Sequence, residues 1–309
     1  MKLINILLEA DGKPKAIIMA GGGGAGKTYI LNQLGITNLP IINPDKFVED
    51  PESPAYNNLS KATALVNKQA AEFTTDGKSF VWDTTASNPK KVEELVDKGY
   101  DVYMVMVYTH PMISYIANFT ARDRNIPGSA VFSTWRNVYD LIDRYNQILN
   151  GNLSIFVNDR GGKYDKEVQA FNKAAEKGVE GIKDYLKTYN KENEIGGSSF
   201  RKPVEIPLDQ EELFNTSTQN IEWDRGNYSE DRVVKALFIK QFEKTGKAPD
   251  QAAYEKALAS YKTKKENDRV REDKVLTDIA NMVFDKDFQD KLKHSTPEEI
   301  KDNINTFLK

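Results

Sequence analysis

The chain reads as an α/β protein, a mostly parallel sheet covered by helices on both faces, followed by a mainly helical C-terminal region. Three observations lead there. Short apolar runs alternate with helical patterns through the first half. A glycine-rich octapeptide sits between the first of those runs and the first helical pattern. The sequence then changes character after about residue 160, where strand-like runs stop and charged helical patterns take over.

The apolar runs fall at residues 16–20, 40–42, 79–82, 101–108 and 153–157. Continuous rather than alternating apolarity is what a strand buried on both faces requires. The helical patterns between them cover 28–34, 59–74, 89–98, 111–120 and 134–149. Asn88-Pro89 is a good helix start, a capping side chain followed by proline in the first turn, and Gly99 is a good stop. Past residue 160 the glycine pair 161–162 and the Gly-Gly-Ser-Ser run at 196–199 are breaks around a charged helix over 163–189. Residues 203–223 read as irregular and acidic. Helices are expected at 229–244, where Val233, Val234, Leu237, Phe238 and Phe242 share a face, then at 251–272, 276–288 and 297–308. These breaks divide the chain into a first domain over 1–195 and a helical region over 196–309.

Composition narrows the classes of chemistry. There is no cysteine, which excludes disulfides and thiolate metal sites, and the two histidines, His110 and His294, are far apart in sequence. A net charge of −3 gives no global drive toward nucleic acid, although a local basic groove needs only a few side chains. No run of 18 apolar residues spans a membrane. The first ten residues read as a peripheral helix or strand rather than a signal peptide, so the expected location is cytoplasmic.

Residues 21–28, Gly-Gly-Gly-Gly-Ala-Gly-Lys-Thr, fit the G-x-x-x-x-G-K-[ST] phosphate loop without a mismatch. Glycines let the backbone curl so that successive N–H groups face phosphate oxygens. Gly22, Gly23, Gly24, Ala25 and Gly26 are therefore the expected cradle for a nucleoside triphosphate. Lys27 is placed to reach its β- and γ-phosphates and Thr28 to offer a hydroxyl to Mg²⁺. No Asn-Lys-x-Asp guanine signature occurs downstream, and ATP with Mg²⁺ is the expected ligand pair.

Carboxylates and arginines supply the remaining candidates. Asp45 follows the second apolar run, at the strand end that faces the ligand crevice in parallel sheets, where a carboxylate accepts a hydroxyl proton. Its alternative role is a cap on a short helix. Asp83 closes the third run, the position of a second metal-side carboxylate; orienting an acceptor is its alternative task. Arg122 and Arg124 enter a Pro-Gly loop that resembles a mobile lid, and Arg136 follows in the next helix, where an i+4 pair with Asp140 competes with phosphate contact. Arg144 reads as surface, His110 as structural, and Trp82, Tyr103, Phe132 and Trp135 as core.

Together these residues resemble the zeta-toxin-like branch of P-loop kinases across about residues 15–160. The likeness rests on the phosphate loop, Asn-Pro-Asp-Lys-Phe after the second strand, Asp-Thr-Thr at the third strand's end, Lys-Gly-Tyr-Asp-Val into the fourth, and the Arg-x-Arg-x-x-Pro lid with its helix. The resemblance implies a five-stranded parallel sheet and an ATP-dependent kinase acting on a hydroxyl. Asp45 would be the base, Lys27 and Thr28 would hold nucleotide and metal, and an arginine among Arg122, Arg124 and Arg136 would touch the phosphates. The lid also looks like that of phage-encoded kinases acting on 5-hydroxymethyl pyrimidines in DNA, whereas toxins of the group phosphorylate nucleotide sugars. The acceptor is thus expected to be a nucleotide or another small molecule, with DNA the alternative. An ATP-hydrolysing switch with the C-terminal helices as its binding module is the competing class. The sequence carries no signal of oligomeric state.

Overall fold

Five parallel strands form one sheet: β1 (Lys15–Ala20), β2 (Ile41–Ile42), β3 (Phe80–Asp83), β4 (Asp101–Tyr108) and β5 (Leu153–Val157), in the order β2-β3-β1-β4-β5. This computed structural model describes residues 12–36, 38–56, 58–120, 128–193 and 251–309. β1 and β3 are buried throughout, and β4 is buried from Val102 onward, as continuous apolar runs demand. Met19 pairs in register with Asp83, and Ala20 with Met106. The carboxyl ends of β1, β3 and β4 therefore finish along one edge of the sheet.

Helices connect the strands. They are α1 (Lys27–Leu34), α2 (Pro44–Glu49), α3 (Leu59–Thr75), α4 (Lys90–Asp97), α5 (Pro111–Thr120), α6 (Gly128–Tyr139) and α7 (Ile142–Leu149). After β5 come a short turn at Arg160–Gly162 and then α8 (Asp165–Ala175), α9 (Gly178–Glu192), α10 (Gln251–Phe284), α11 (Lys286–Lys291) and α12 (Pro297–Leu308). The expected α/β class and the helical character of the described C-terminal residues both hold.

Several boundaries differ from the sequence expectation. The helix expected at 134–149 is two, broken at Leu141 (φ −97°, ψ 5°). The break lets Trp135, Val138 and Tyr139 on α6 and Ile142, Tyr145 and Leu149 on α7 all be buried, which one straight helix with that apolar spacing does not achieve. The charged helix expected at 163–189 is also divided, because Gly178 sits at φ +75°. Conversely, α10 runs through residues 273–275 without interruption, having no glycine or proline there. It stops at Asp285, whose carboxylate accepts from Asp287 and Phe288 amides and so starts α11. The segments expected at 1–10, 196–199, 203–223 and 229–244 lie outside the described residues.

The chain divides into two compact units, residues 1–172 with 281–309, and residues 173–280. The boundary expected at residue 195 lies outside the described residues. In α12, Ile300 and Ile304 are buried in the same apolar cluster as Ile17, Ile30, Leu34, Val81 and Val105, with Phe307 packed against it. The preceding segment lies along β5, where Ser295 N–H donates to the Ile155 carbonyl and Val157 N–H to His294 Nδ1. The last helices thus complete the sheet unit. In the other unit, Lys183 on α9 pairs with Asp273 on α10.

Candidate active site

The glycine-rich loop joins the end of β1 to α1, and its backbone is fixed from several sides. Gly21, Gly24 and Gly26 have φ of 150°, 74° and 93°. A Cβ on Gly21 would lie 2.6 Å from the Val107 carbonyl oxygen, one on Gly24 2.8 Å from that of Ser114, and one on Gly26 would collide with the Asn158 amide. These positions need glycine both for dihedral angle and for space.

The loop's carbonyls have partners outside the concavity. Ser114 Oγ donates to Gly23 O (2.5 Å), Arg160 Nη2 to Gly24 O (2.8 Å) and Asn158 Nδ2 to Ala25 O (2.8 Å). Lys27 Nζ donates to the Gly21 and Gly22 carbonyls at 3.1 and 3.5 Å. Tyr139, fully buried, accepts from Gly22 N–H (3.2 Å) and donates to Val107 O (2.6 Å). Burial pushes its phenol up, so it remains a neutral donor at ordinary pH. Among the described residues, none accepts from the amides of Gly23, Gly24 or Gly26.

Helix α1 differs from α2 and α3 in how it begins. Its N-cap is Gly26, with no side-chain cap and no acidic residue in the first turn. By contrast, α2 and α3 are capped by the Asn43 and Asn58 side chains. A positive helix end with no side-chain cap and no first-turn acid, next to loop amides that have no partner among the described residues, is suited to an anion. The cradle that a Cβ would fill and the Lys27 ammonium beside it fit a triphosphate.

Asp83 is buried at the end of β3. Its Oδ2 accepts from Asn43 Nδ2 (3.0 Å), and Asn43 Oδ1 accepts from Asp45 N–H (2.8 Å). One amide side chain thus links both candidate carboxylate residues. The cap on the short helix is Asn43, not Asp45; Asp45 stands in the first turn of α2, where the helix dipole favours a carboxylate. The hydroxyl of Thr28 and the carboxylate of Asp83 are hard oxygen donors of the kind Mg²⁺ takes alongside phosphate oxygens and water. No group of three metal-ligating side chains forms among the described residues.

Arg136, on α6, lies with Nη2 3.7 Å from Asp140 Oδ2 and Nη1 3.2 Å from Asn137 Oδ1. The i+4 pair expected for it is therefore present. Arg122 and Arg124 lie outside the described residues. Arg144 makes an exposed pair with Glu93. Trp82, Tyr103, Phe132 and Trp135 are core. His110 is structural: Nδ1 accepts from Met112 N–H (3.2 Å) and Nε2 lies 2.9 Å from Asn172 Oδ1. Burial holds its pKa down at about 4, against the partly offsetting Asn172 bond.

The family model described as Zeta toxin matches residues 4–138. That span carries the phosphate loop, Asp45, Asp83 and Arg136, and it supports a nucleotide-binding phosphotransferase. No curated protein matches the chain. Among solved structures, a component of the PezAT toxin–antitoxin system of Streptococcus pneumoniae is 20% identical, with 47% of this chain and 68% of that one covered and a TM-score of 0.37. The AvrRxo1-ORF1:AvrRxo1-ORF2 complex with ATP is 16% identical over 84% and 83%, at 0.39. A sulfotransferase domain of the olefin synthase from Synechococcus PCC 7002 is 12% identical over 81% and 94%, at 0.29. At such identities and scores, none of these likenesses bears on function.

Sequence reasoning missed Asn43, Ser114, Tyr139, Asn158 and Arg160. Only Asn43 carried a local signal, an Asn directly before a proline at a helix start. The other four reach the loop from 91 to 136 residues away.

Proposed function

We propose that the protein is an ATP-dependent kinase that transfers the γ-phosphoryl of ATP to a hydroxyl of a nucleotide, a nucleotide sugar or a hydroxymethylated DNA base. The observation that carries this reading is the pair of carboxylate residues, Asp45 and Asp83, joined through Asn43 at the strand ends beside the phosphate loop. A hydrolytic switch needs the loop; a kinase needs in addition a group to take the acceptor's proton.

In this reading the loop amides, Lys27 and the α1 terminus hold the triphosphate, while Thr28 and Asp83 hold Mg²⁺, which when bound neutralises phosphate charge. The Asp45 carboxylate takes the proton as the acceptor oxygen bonds to the γ-phosphorus. The bond from that phosphorus to the β,γ-bridging oxygen breaks, and ADP leaves. Arg122, Arg124 and Arg136 are assigned to the developing charge on the transferring group, each as a separate hypothesis for mutation. Asn43 aims Asp83, because its amide donates to the carboxylate oxygen.

The assignment of the base is tested by Asp45→Asn in the full chain. The expected outcome is a loss of transfer of at least about 100-fold with ATP affinity within about threefold of wild type. Unchanged turnover would overturn the role of Asp45.

A further inference from the structure

Residues 160–162 form a single left-handed turn, with φ of 59° at Arg160, 64° at Gly161 and 74° at Gly162. Glycine adopts these angles freely, and an arginine does not. The turn is built to hold that arginine: Asn158 Oδ1 accepts from Arg160 N–H (3.3 Å), Asp159 Oδ1 from Gly161 N–H (2.8 Å), and Lys163 N–H donates to Arg160 O (3.4 Å). Unfavourable backbone retained under such constraint clusters at functional sites.

The guanidinium lies against the phosphate loop. Nη2 donates to Gly24 O, and Nη2 and Cζ lie 3.3 and 3.5 Å from where a Cβ on Gly26 would stand. Its Nε is buried with no hydrogen-bond partner among the described residues. Because the peptide unit is planar and trans, fixing the Gly24 carbonyl fixes the Ala25 amide on its far side, which closes the loop's internal turn onto Gly22 O (3.2 Å). Asn158, two residues earlier, fixes the next peptide in the same way and turns the Gly26 amide opposite to Ala25 O. Asn158 is itself tied to the end of β4, its amide donating to Tyr108 O and its carbonyl accepting from Thr109 Oγ1 (both 2.7 Å).

We propose that Arg160 is a positioning residue for the triphosphate: it acts through the Gly24–Ala25 peptide to preset the loop, and its strained left-handed backbone is the cost of aiming it there. This rests on the reading of residues 21–28 as a triphosphate site. In Arg160→Gly the backbone strain is relieved while the clamp is lost, so stability and binding separate. The expected result is a melting temperature within about 2 °C of wild type or above it, with the Kd for ATP in the presence of Mg²⁺ weakened about tenfold. Arg160→Lys retains a donor for Gly24 O and is expected to recover affinity to within about threefold of wild type. Wild-type ATP affinity in Arg160→Gly, or weaker binding accompanied by a melting temperature about 10 °C lower, would overturn the proposal, the latter by making Arg160 a structural residue. Lys27→Ala is the control. If it binds ATP as wild type does, the triphosphate site falls and this inference with it. If it loses ATP while Arg160→Gly does not, the clamp alone falls.

Discussion

At the level of single residues, the phosphate loop shows how far a local motif reaches. The octapeptide states that glycines are needed, but not which ones or why. The structure separates them: Gly23 has open space for a Cβ, whereas Gly24 and Gly26 have neither the space nor the dihedral angle. Gly24→Ala is therefore expected to cost about 1–3 kcal/mol in backbone strain, with overlap against Ser114 added, and Gly23→Ala much less, as read by chemical denaturation of the two variants. Tyr139→Phe leaves both Gly22 N–H and Val107 O without their buried partner and is expected to cost about 1–3 kcal/mol. His110 predicts a pH dependence. Its folded pKa of about 4 lies below the unfolded value near 6.5, so the unfolded chain binds the proton more readily. Stability is then fully present above pH 6.5 and falls as pH drops toward 4, by about 3 kcal/mol at ~1.4 kcal/mol per unit. His110→Gln should flatten that limb of a stability profile measured between pH 7 and 4. A flat wild-type profile would contradict the part-buried neutral imidazole. Lys27, Thr28, Asp45 and Asp83 were legible as candidates because each stands within a few residues of a strand end or in the loop, and Arg136 because it follows the Pro-Gly segment in the next helix. Asn158 and Arg160 were not, because the glycine pair beside them reads equally well as a simple break.

At the level of elements, apolar patterning located all five strands, since burial on both faces leaves a continuous run that few other structures share. Patterning failed where two helices follow one another with compatible spacing. α6 and α7 read as one because Trp135, Tyr139, Ile142 and Tyr145 keep a helical rhythm across the break at Leu141. α2 was too short for any periodicity, and only its cap and proline announce it. α12 was legible as a helix but not as part of the sheet unit, because nothing in an amphipathic pattern says which surface it covers. Its capping box, Thr296 with Glu299, fixes where it starts. Ile300→Ala and Ile304→Ala are each expected to destabilise the chain by about 2–5 kcal/mol, as fully buried truncations do. A loss below 0.5 kcal/mol by denaturant unfolding would mean that α12 is not part of that core.

At the level of the whole molecule, the strand order β2-β3-β1-β4-β5 brings the loop, Asn43, Asp83 and the Asn158–Arg160 turn to the carboxyl edge of one sheet, where parallel α/β folds keep their ligands. No described helix is long and apolar enough to cross a membrane. Net charge of −3 leaves any DNA acceptor to a local groove, so binding of hydroxymethylated DNA would have to weaken with salt in proportion to the few phosphates contacted. The acceptor was not legible because hydroxyl recognition is assembled from separate loops, and no spacing rule connects them. The central claim is that the γ-phosphoryl ends on a hydroxyl rather than in water. It is tested most directly by incubating the full chain with γ-labelled ATP, Mg²⁺ and panels of nucleotides, nucleotide sugars and hydroxymethylated DNA, with Asp45→Asn run beside it. The account predicts label in one acceptor class, abolished in Asp45→Asn. Label released only as free phosphate, equally with and without every acceptor, would contradict it.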